Sequence, residues 1–279
     1  MEFTMTKDFL YHNYIILGKS QSEIAKEVGC TSKNINYYVR KFNLKGIKSK
    51  TKYYVNESLI DISNPVFCYL SGLIATDGHI DYKNNRITIR VNNEGSNITL
   101  QNILDYFENG LDVASYKTGY EIRITSKKLI EELKLLNVEG RLKTYTLKFP
   151  SEFKNDDCAR MYLRGMLDGD GNIHLRKSKS IPNKYTSLTF RIVTASNDYI
   201  QGLIDYINER FDFSYEVSIA KVKGVEYPKL EMKALDSLKL LDFIYKGFED
   251  FRFKDKYCRY KLIKGEEIVW PYTMVKCKN

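Results

Sequence analysis

An internal duplication constrains the fold of this chain more than any other feature of its sequence. The segment CYLSGLIATDGHI (68–80) returns as MYLRGMLDGDGNI (161–173), and in both copies an apolar run ends on an Asp–Gly pair. The segments that follow also correspond, namely RITIRVNN (86–93) with SLTFRIVT (187–194), NITLQNILDYF (97–107) with NDYIQGLIDYI (197–207), and SKKLIEELKLLNV (126–138) with ALDSLKLLDFIYK (234–246). This pattern predicts two copies of one folding unit that pack against each other.

Each copy reads as helix, two strands, helix, two strands, helix, which predicts an α+β fold with antiparallel sheets. Ile87, Ile89 and Val91 alternate with polar residues, the period of a sheet that has one face on a core and one in water. For a single strand a solvated face is the simpler interpretation, but outward arginines in both copies favour a surface that binds DNA. The outward residues expected to contact DNA are Arg86, Thr88, Arg90, Asn92, Arg123, Arg176, Thr189 and Arg191.

The repeated motif predicts two helices in close contact. Gly72 and Gly165 occupy matching positions, and a glycine in a helix, which costs up to about 1 kcal/mol, is favoured where another backbone comes close. One Asp–Gly pair after a helix is usually only a turn, but helices that touch at these glycines would carry Asp77 and Asp170 to the same place. Converging carboxylates repel each other unless a cation lies between them, and hard oxygen ligands suit Mg²⁺.

The segments LSGLIATDG (70–78) and LRGMLDGDG (163–171) resemble the two motif copies of the LAGLIDADG homing endonucleases in their single-chain form. The resemblance spans roughly residues 61–279. It implies two pseudo-symmetric αββαββα repeats, with the motif helices as the interface between the halves and two saddle-shaped sheets astride the DNA.

The resemblance also implies a ligand set for Mg²⁺ or another divalent cation such as Mn²⁺. The implied ligands are the carboxylates of Asp77 and Asp170 and the backbone carbonyls of Thr76 and Gly169. An acid that the family often carries two residues before the metal ligand is kept as Asp168 but replaced by Ala75. The two halves are therefore expected to differ in detail, while both metal-binding acids are present.

Further site residues follow from the resemblance alone. The family places a basic residue near each active site, late in each repeat, and the matching segments contain Lys143 and Lys254, with Lys256 as the second choice for the latter. A lysine there would offset negative charge that develops on the phosphate or hold the attacking water, although a lone lysine is usually a solvated charge. Asn93 and Thr194 match positions that orient water.

The first part of the chain predicts a helix-turn-helix. Ser20 or Ser22 can cap one helix, Gly29 suits a tight turn, and Thr31 can cap a second helix. In such a fold the second helix reads the major groove. The residues expected to face DNA are Ser32, Lys33, Asn34, Asn36, Tyr37 and Arg40. The alternative is a generic helical hairpin with a solvated basic face.

Four segments are expected along the chain. These are a small all-α helix-turn-helix domain (1–46), a basic linker (47–60), a first repeat (61–152) and a second repeat (153–279). The linker is rich in lysine and could follow the DNA backbone.

Composition agrees with a protein that binds a polyanion inside the cell. The net charge is +9, which favours nucleic acid through counterion release but also serves solubility. Five scattered cysteines form no C-x-x-C pair, which fits a reducing compartment. No long apolar run or secretion signal is evident, so we expect an intracellular protein that does not associate with a membrane. We expect it to be a monomer that binds double-stranded DNA and has no small-molecule substrate.

The leading hypothesis is a site-specific endonuclease that makes a metal-dependent double-strand break in a long, non-palindromic DNA target. Two alternatives use the same scaffold. One is a catalytically silent DNA-binding regulator, and the other is an RNA maturase that assists intron splicing. Both acids are present, which favours the nuclease over the regulator.

Overall fold

The chain forms two compact units that divide after Tyr54. The computed structural model describes residues 5–17, 19–44, 55–92, 95–140, 143–177, 179–180, 185–222 and 224–265. Each unit has its own hydrophobic cluster. Within the described residues, no helix has the length and apolarity needed to cross a membrane.

The N-terminal unit is helical. Its elements are α1 (Lys7–Leu10), which continues as a π-helical turn (Tyr11–Ile16), then α2 (Gln21–Val28) and α3 (Ser32–Lys41). Ser20 caps α2, Gly29 follows it with a φ of 70°, and Thr31 caps α3. These caps satisfy backbone groups that the helix ends would otherwise leave without partners. The apolar side chains of all the helices then share one core, which includes Leu10, Ile24, Ile35 and Val39.

The second unit contains both repeats. The first consists of α4 (Pro65–Asp77), β1 (Gly78–Asp81), β2 (Arg86–Val91), α5 (Ser96–Tyr106), β3 (Ala114–Tyr116), β4 (Gly119–Thr125) and α6 (Lys127–Leu135). A short α7 (Lys143–Thr146) leads to the second. The second consists of α8 (Asp156–Gly169), β5 (Asn172–Lys177), β6 (Tyr185–Val193), α9 (Asn197–Arg210), β7 (Tyr215–Val222), β8 (Val225–Lys233), α10 (Ala234–Ile244) and α11 (Lys254–Lys264).

The two sheets have the same topology. Their strand orders are β1-β2-β4-β3 and β5-β6-β8-β7, and every pairing is antiparallel. In β2 the side chains of Ile87, Ile89 and Val91 are buried, whereas those of Arg86, Thr88 and Arg90 are not. Leu188, Phe190 and Ile192 are the buried positions of β6. The predicted α+β class with two matching αββαββα repeats is therefore confirmed.

Helices α4 and α8 form the centre of the second unit, and they touch backbone to backbone. A Cβ atom on Gly72 would lie 2.1 Å from the carbonyl oxygen of Tyr162, and a Cβ atom on Gly165 would lie 2.1 Å from the carbonyl oxygen of Tyr69. These distances are too short for any side chain. Glycine at both positions lets the two helices approach each other closely.

Three features differ from the sequence expectations. Residues 55–60, assigned to the linker, belong to the second unit, because Val55 and Ile60 are buried in its core and Glu57 accepts a hydrogen bond from Ser126. The rest of that linker lies outside the described residues. The helical turns before α2 were not predicted, and neither were α7 and α11. Both follow the last repeat helix of their half, so each repeat carries an added helical segment.

Candidate active site

The two motif helices deliver their aspartates to one place. Helix α4 ends at Asp77, and α8 ends at Gly169 with Asp170 as its cap residue. Both carboxylate-bearing residues are exposed, although the helices that carry them are buried. A Cβ atom on Gly169 would lie 1.9 Å from Thr76 Oγ1 and 3.3 Å from Asp77 Oδ2. The Asp77 carboxylate therefore lies close to the residue that precedes Asp170, and only glycine leaves room there for the Thr76 side chain.

The chemistry of this place suits a hard cation. Two carboxylates lie at the C-terminal ends of two helices, where the helix dipoles also make the potential negative. Across the described residues, no group of three or more His, Cys, Asp or Glu side chains is arranged to hold a metal ion. A cation at Asp77 and Asp170 would thus complete its shell with water or phosphate oxygens, as Mg²⁺ commonly does. The carboxylate pair fits such an ion.

The Gly169 carbonyl, an expected metal ligand, has another partner. Lys256 Nζ donates to the carbonyl oxygens of Leu167, Asp168 and Gly169 at 2.6, 2.6 and 2.7 Å. Burial lowers the pKa of this ammonium group, while Asp168, Asp77 and Asp170 oppose that effect. A lysine ammonium group thus lies at the end of α8, where it would compete with any metal ion for the Gly169 oxygen.

Lys256, and not the expected Lys254, is the lysine at the end of the second motif helix. The Cδ atom of Lys254 lies beside Gly95, at the start of α5, where a glycine Cβ would approach it to 3.2 Å. The two lysines are two positions apart on α11 and so point to different sides of that helix. The role of Lys254 as a basic group of this site stays a prediction, and Lys256, the second choice, is the lysine that contacts the last turn of α8.

The position of Lys256 depends on a buried arginine that sequence reasoning passed over. Arg164, in the motif itself, is fully buried and donates to the carbonyls of Ile244, Phe248 and Phe251, among others. These carbonyls belong to the end of α10 and to the loop that leads into α11. The motif copies differ at this point, since Arg164 corresponds to Ser71, and that difference was the available signal.

The residues two positions before Asp77 and Asp170 differ, and so do the polar groups around them. Asp168 is fully buried, and its Oδ2 accepts hydrogen bonds from Tyr69 Oη and from the Phe253 backbone N–H, both at 2.8 Å. Burial raises the pKa of Asp168 to about 6. In the first repeat, Ala75 replaces this acid. Tyr162, the counterpart of Tyr69 on α8, has its hydroxyl 3.4 Å from that of Tyr199.

A cavity of about 250 Å³ opens beside Asp170. Its lining includes Ala75, Thr76, Thr194 and Tyr199. Thr194, expected to orient water, therefore lies in the same cavity as Asp170. Its counterpart Asn93 lies outside the described residues, as does the side chain of Lys143.

The outward arginines of the sheets are held in ion pairs. Arg90 and Arg123 both contact Glu121, Arg191 contacts Glu231, and each of these pairs joins residues of neighbouring or the same strands. Arg86 contacts Asp81 with Nη2 to Oδ2 at 3.0 Å. The remaining expected residues divide by exposure, with Asn92 and Arg176 exposed and Thr88 and Thr189 partly buried. The two glutamates were not singled out from the sequence.

The expected contact residues of the N-terminal unit lie along α3. Ser32, Lys33, Asn34, Tyr37 and Arg40 are exposed, while Asn36 is partly buried. Lys41 Nζ lies 5.9 Å from the centre of the Tyr37 ring. The hydroxyl of Ser32 is 3.3 Å from that of Ser22. This helix thus presents a polar and basic face beside its buried side.

Comparisons with known proteins found similarity only among solved structures. Full-length DUF199/WhiA from Thermatoga maritima is 15% identical, with 79% of this chain and 69% of that chain covered and a TM-score of 0.45. The homing endonuclease I-DmoI, solved in complex with DNA and Mn, is 16% identical, with 67% and 99% covered and a TM-score of 0.44. I-SmaMI, bound to an uncleaved DNA target with calcium ions, is 14% identical, with 70% and 88% covered and a TM-score of 0.40.

No family model matches the chain, and no curated protein matches it. Similarities at these identities and TM-scores carry no information about activity. The two-repeat fold is established by the strand order and by the packing of α4 on α8.

Proposed function

We propose that this protein is a site-specific DNA endonuclease that makes a metal-dependent double-strand break. One observation carries the proposal. Asp77 and Asp170, both exposed, lie at the ends of two buried helices that touch at Gly72 and Gly165, and Asp77 Oδ2 lies against Gly169, the residue before Asp170. The same unit carries two antiparallel sheets with outward arginines, which suit the phosphates and base edges of DNA.

The proposed mechanism assigns one aspartate to each DNA strand. Asp77 and Asp170 would hold divalent cations, which supply a polarised phosphodiester and an activated water when bound. Water attacks the phosphorus atom, and the 3′ oxygen of the neighbouring nucleotide leaves. Thr194, beside Asp170 in its cavity, is proposed to orient this water. Lys256 offsets negative charge at the end of α8.

The rest of the DNA surface follows the same proposal. Arg86, Arg90, Arg123, Arg176 and Arg191, with the polar residues between them, would contact the target across both sheets. The exposed face of α3 would extend contact to further base pairs. Since the two sheets differ in sequence, we propose that the target is not palindromic.

A second candidate function has its own supporting observation. Lys256 donates to the Gly169 carbonyl at 2.7 Å, so one oxygen expected to bind metal has a cationic partner already. This favours a DNA-binding regulator in which the second metal site is silent. An RNA maturase would use the same basic sheet surface on a different nucleic acid.

One experiment separates these functions. The full chain is incubated with a random double-stranded DNA library in Mg²⁺ or in EDTA, and both bound and cleaved molecules are sequenced. We expect an enriched target that is cut on both strands in Mg²⁺ only. The Asp77→Asn/Asp170→Asn double variant is expected to bind the same target without cutting it.

The other outcomes are equally informative. Specific binding without cleavage by the wild-type chain would favour the regulator. A structured RNA added to the same incubation as a competitor that is bound in preference to every DNA would favour the maturase. Either result would overturn the nuclease proposal.

A further inference from the structure

Each sheet buries one glutamate on the face that it turns away from the core. Glu121 in β4 and Glu231 in β8 have side chains only 4% and 10% exposed. Both alternate with core residues and so belong to the outward face with the arginines. Burying a carboxylate is costly unless it is paired, and in both sheets the partner is an arginine directly opposite on the next strand, Arg90 for Glu121 and Arg191 for Glu231.

The geometry of the two pairs is the same. Glu121 Oε2 accepts from Arg90 Nε at 3.0 Å and from Nη2 at 2.6 Å. Glu231 Oε2 lies 2.9 Å from Arg191 Nε and 2.8 Å from its Nη2. One carboxylate oxygen thus holds the Nε edge of each guanidinium group. The Nη1 side of the group is turned away from the glutamate, and the arginines are 53% and 39% exposed.

Other groups fix each glutamate in turn. Arg123 also contacts Glu121, and the Tyr116 ring lies 4.9 Å from the guanidinium carbon of Arg90. Lys229 donates to Glu231 at 3.3 Å. Burial alone would raise the pKa of Glu231, but hydrogen bonds from Arg191 and Lys229 lower it below its ordinary value. This carboxylate therefore stays charged at neutral pH and keeps its hold on Arg191.

An arginine held in this way is prepared to read guanine. Arginine recognises guanine by two parallel hydrogen bonds to O6 and N7, and a guanidinium group that is already oriented loses less conformational freedom on binding. The two arginines also occupy matching positions in the two repeats. Arg191 in β6 pairs with Asn172 in β5, and Asn172 is two residues after Asp170. Arg90 follows Ile89, and Ile89 pairs with Gly78, the residue after Asp77. Both arginines lie at the end of their sheet that is next to the aspartates.

We infer that Glu121 and Glu231 are positioning residues that set Arg90 and Arg191 to read one guanine each. Because the repeats are related by a pseudo-twofold axis, the two guanines lie on opposite strands, at matching distances on either side of the cleavage positions. This inference rests on the proposed function, since it names part of the target sequence of that same surface. It assigns specificity to the glutamates and contact with the base to the arginines.

The test is a binding selection from a random DNA library in EDTA with the full chain. The variants are Glu121→Gln, Glu231→Gln and a matched control, Glu226→Gln. Glu226 is exposed on the second sheet and pairs with Lys221, so its change adds the same charge without touching an arginine. We expect the wild type to enrich a guanine at each of the two matching positions.

In each glutamate variant, the preference for guanine is expected to fall about fivefold at one of the two positions and to stay unchanged at the other. The control should keep both preferences, although all three variants gain non-specific DNA affinity from the added charge. Arg90→Lys and Arg191→Lys keep the charge but lose the paired donors, so they should lose the same guanine as Glu121→Gln and Glu231→Gln. Circular dichroism checks that every variant is folded.

The outcomes distinguish the two levels of the proposal. A wild-type chain that binds DNA specifically but enriches no guanine at matching positions would overturn this inference and leave the proposed function standing. Unchanged guanine preference in the glutamate variants would do the same. A wild-type chain with no sequence preference for DNA would overturn both.

Discussion

The two motif helices contact each other through matching glycines, but their ends have different polar surroundings. In the second repeat, Asp168 is buried under Tyr69 and the Phe253 N–H, and Lys256 covers the carbonyls of the last turn. In the first repeat Ala75 stands where Asp168 does, beside a cavity. Close contact between the helices requires glycine at both positions, whereas the groups behind the two aspartates differ.

The largest expected effect tests whether both aspartates are needed despite these surroundings. Asp77→Asn and Asp170→Asn should each lower the rate of double-strand cleavage about 1000-fold, because each removes one carboxylate proposed to hold the cation that stabilises the transition state. Each variant should still nick one strand, and the two should nick opposite strands. Plasmid carrying the selected target, resolved into supercoiled, nicked and linear forms, provides the measurement. A single variant that linearises plasmid at the wild-type rate would contradict the assignment.

The next effect concerns the part of the molecule in which the halves agree. Gly72→Ala and Gly165→Ala should each lower the free energy of unfolding by about 3 kcal/mol, since the new Cβ meets a backbone carbonyl that cannot turn aside. The better helix propensity of alanine recovers only up to about 1 kcal/mol of a larger cost. Urea titrations of the two variants should give similar losses. A neutral substitution at either glycine would show that the helices can move apart there.

A third prediction uses the acid that only one half possesses. Asp168 titrates at about 6 in the folded chain, whereas an unfolded aspartate titrates near 4. Between these two pKa values the folded state holds the Asp168 proton more tightly than the unfolded state does. The stability that this proton contributes is therefore present at low pH and is lost as the pH rises through about 6. Relative to Asp168→Asn, the wild type should lose about 2 kcal/mol of unfolding free energy from pH 4 to pH 7.

This difference is measured by urea titration in EDTA, so that no metal ion competes for the neighbouring aspartates. The Asn variant shares every other titrating group with the wild type. Parallel pH profiles for the two proteins would show that Asp168 is solvated or fully paired in its charged form, and would remove this contrast between the halves.

The sequence predicted the fold well because the alternation of apolar and polar residues, the helix caps and the repeated segments can all be read directly from the chain. The alternation in β2, the caps of α2 and α3, and the paired glycines each depend on residues close in the chain or on an obvious counterpart. The choice between Lys254 and Lys256 was different. It depends on which side of α11 faces α8, and that is set by Arg164 and its bonds to the preceding loop.

The two buried glutamates were missed for a related reason. In sequence, Glu121 and Glu231 look like ordinary polar positions of a strand whose other face is in water. Their burial comes from neighbours on adjacent strands, and the pairing register that brings Arg90 and Arg191 opposite them is known only once the sheet is built. An acid within an outward row of arginines, present in both repeats, was the one signal that could have found them.

The smallest expected effect compares two tyrosines at matching positions. Tyr69 donates to the Asp168 carboxylate at 2.8 Å, whereas the hydroxyls of Tyr162 and Tyr199 are 3.4 Å apart and neutral. Removing a hydrogen bond to a charged group costs more than removing a long neutral one. At pH 7.5, Tyr69→Phe should lower the free energy of unfolding by about 2 kcal/mol and Tyr162→Phe by less than about 1 kcal/mol. At pH 4.5 Asp168 carries its proton, so the two losses should become similar, and a gap that persists there would mean that packing rather than charge distinguishes the two halves.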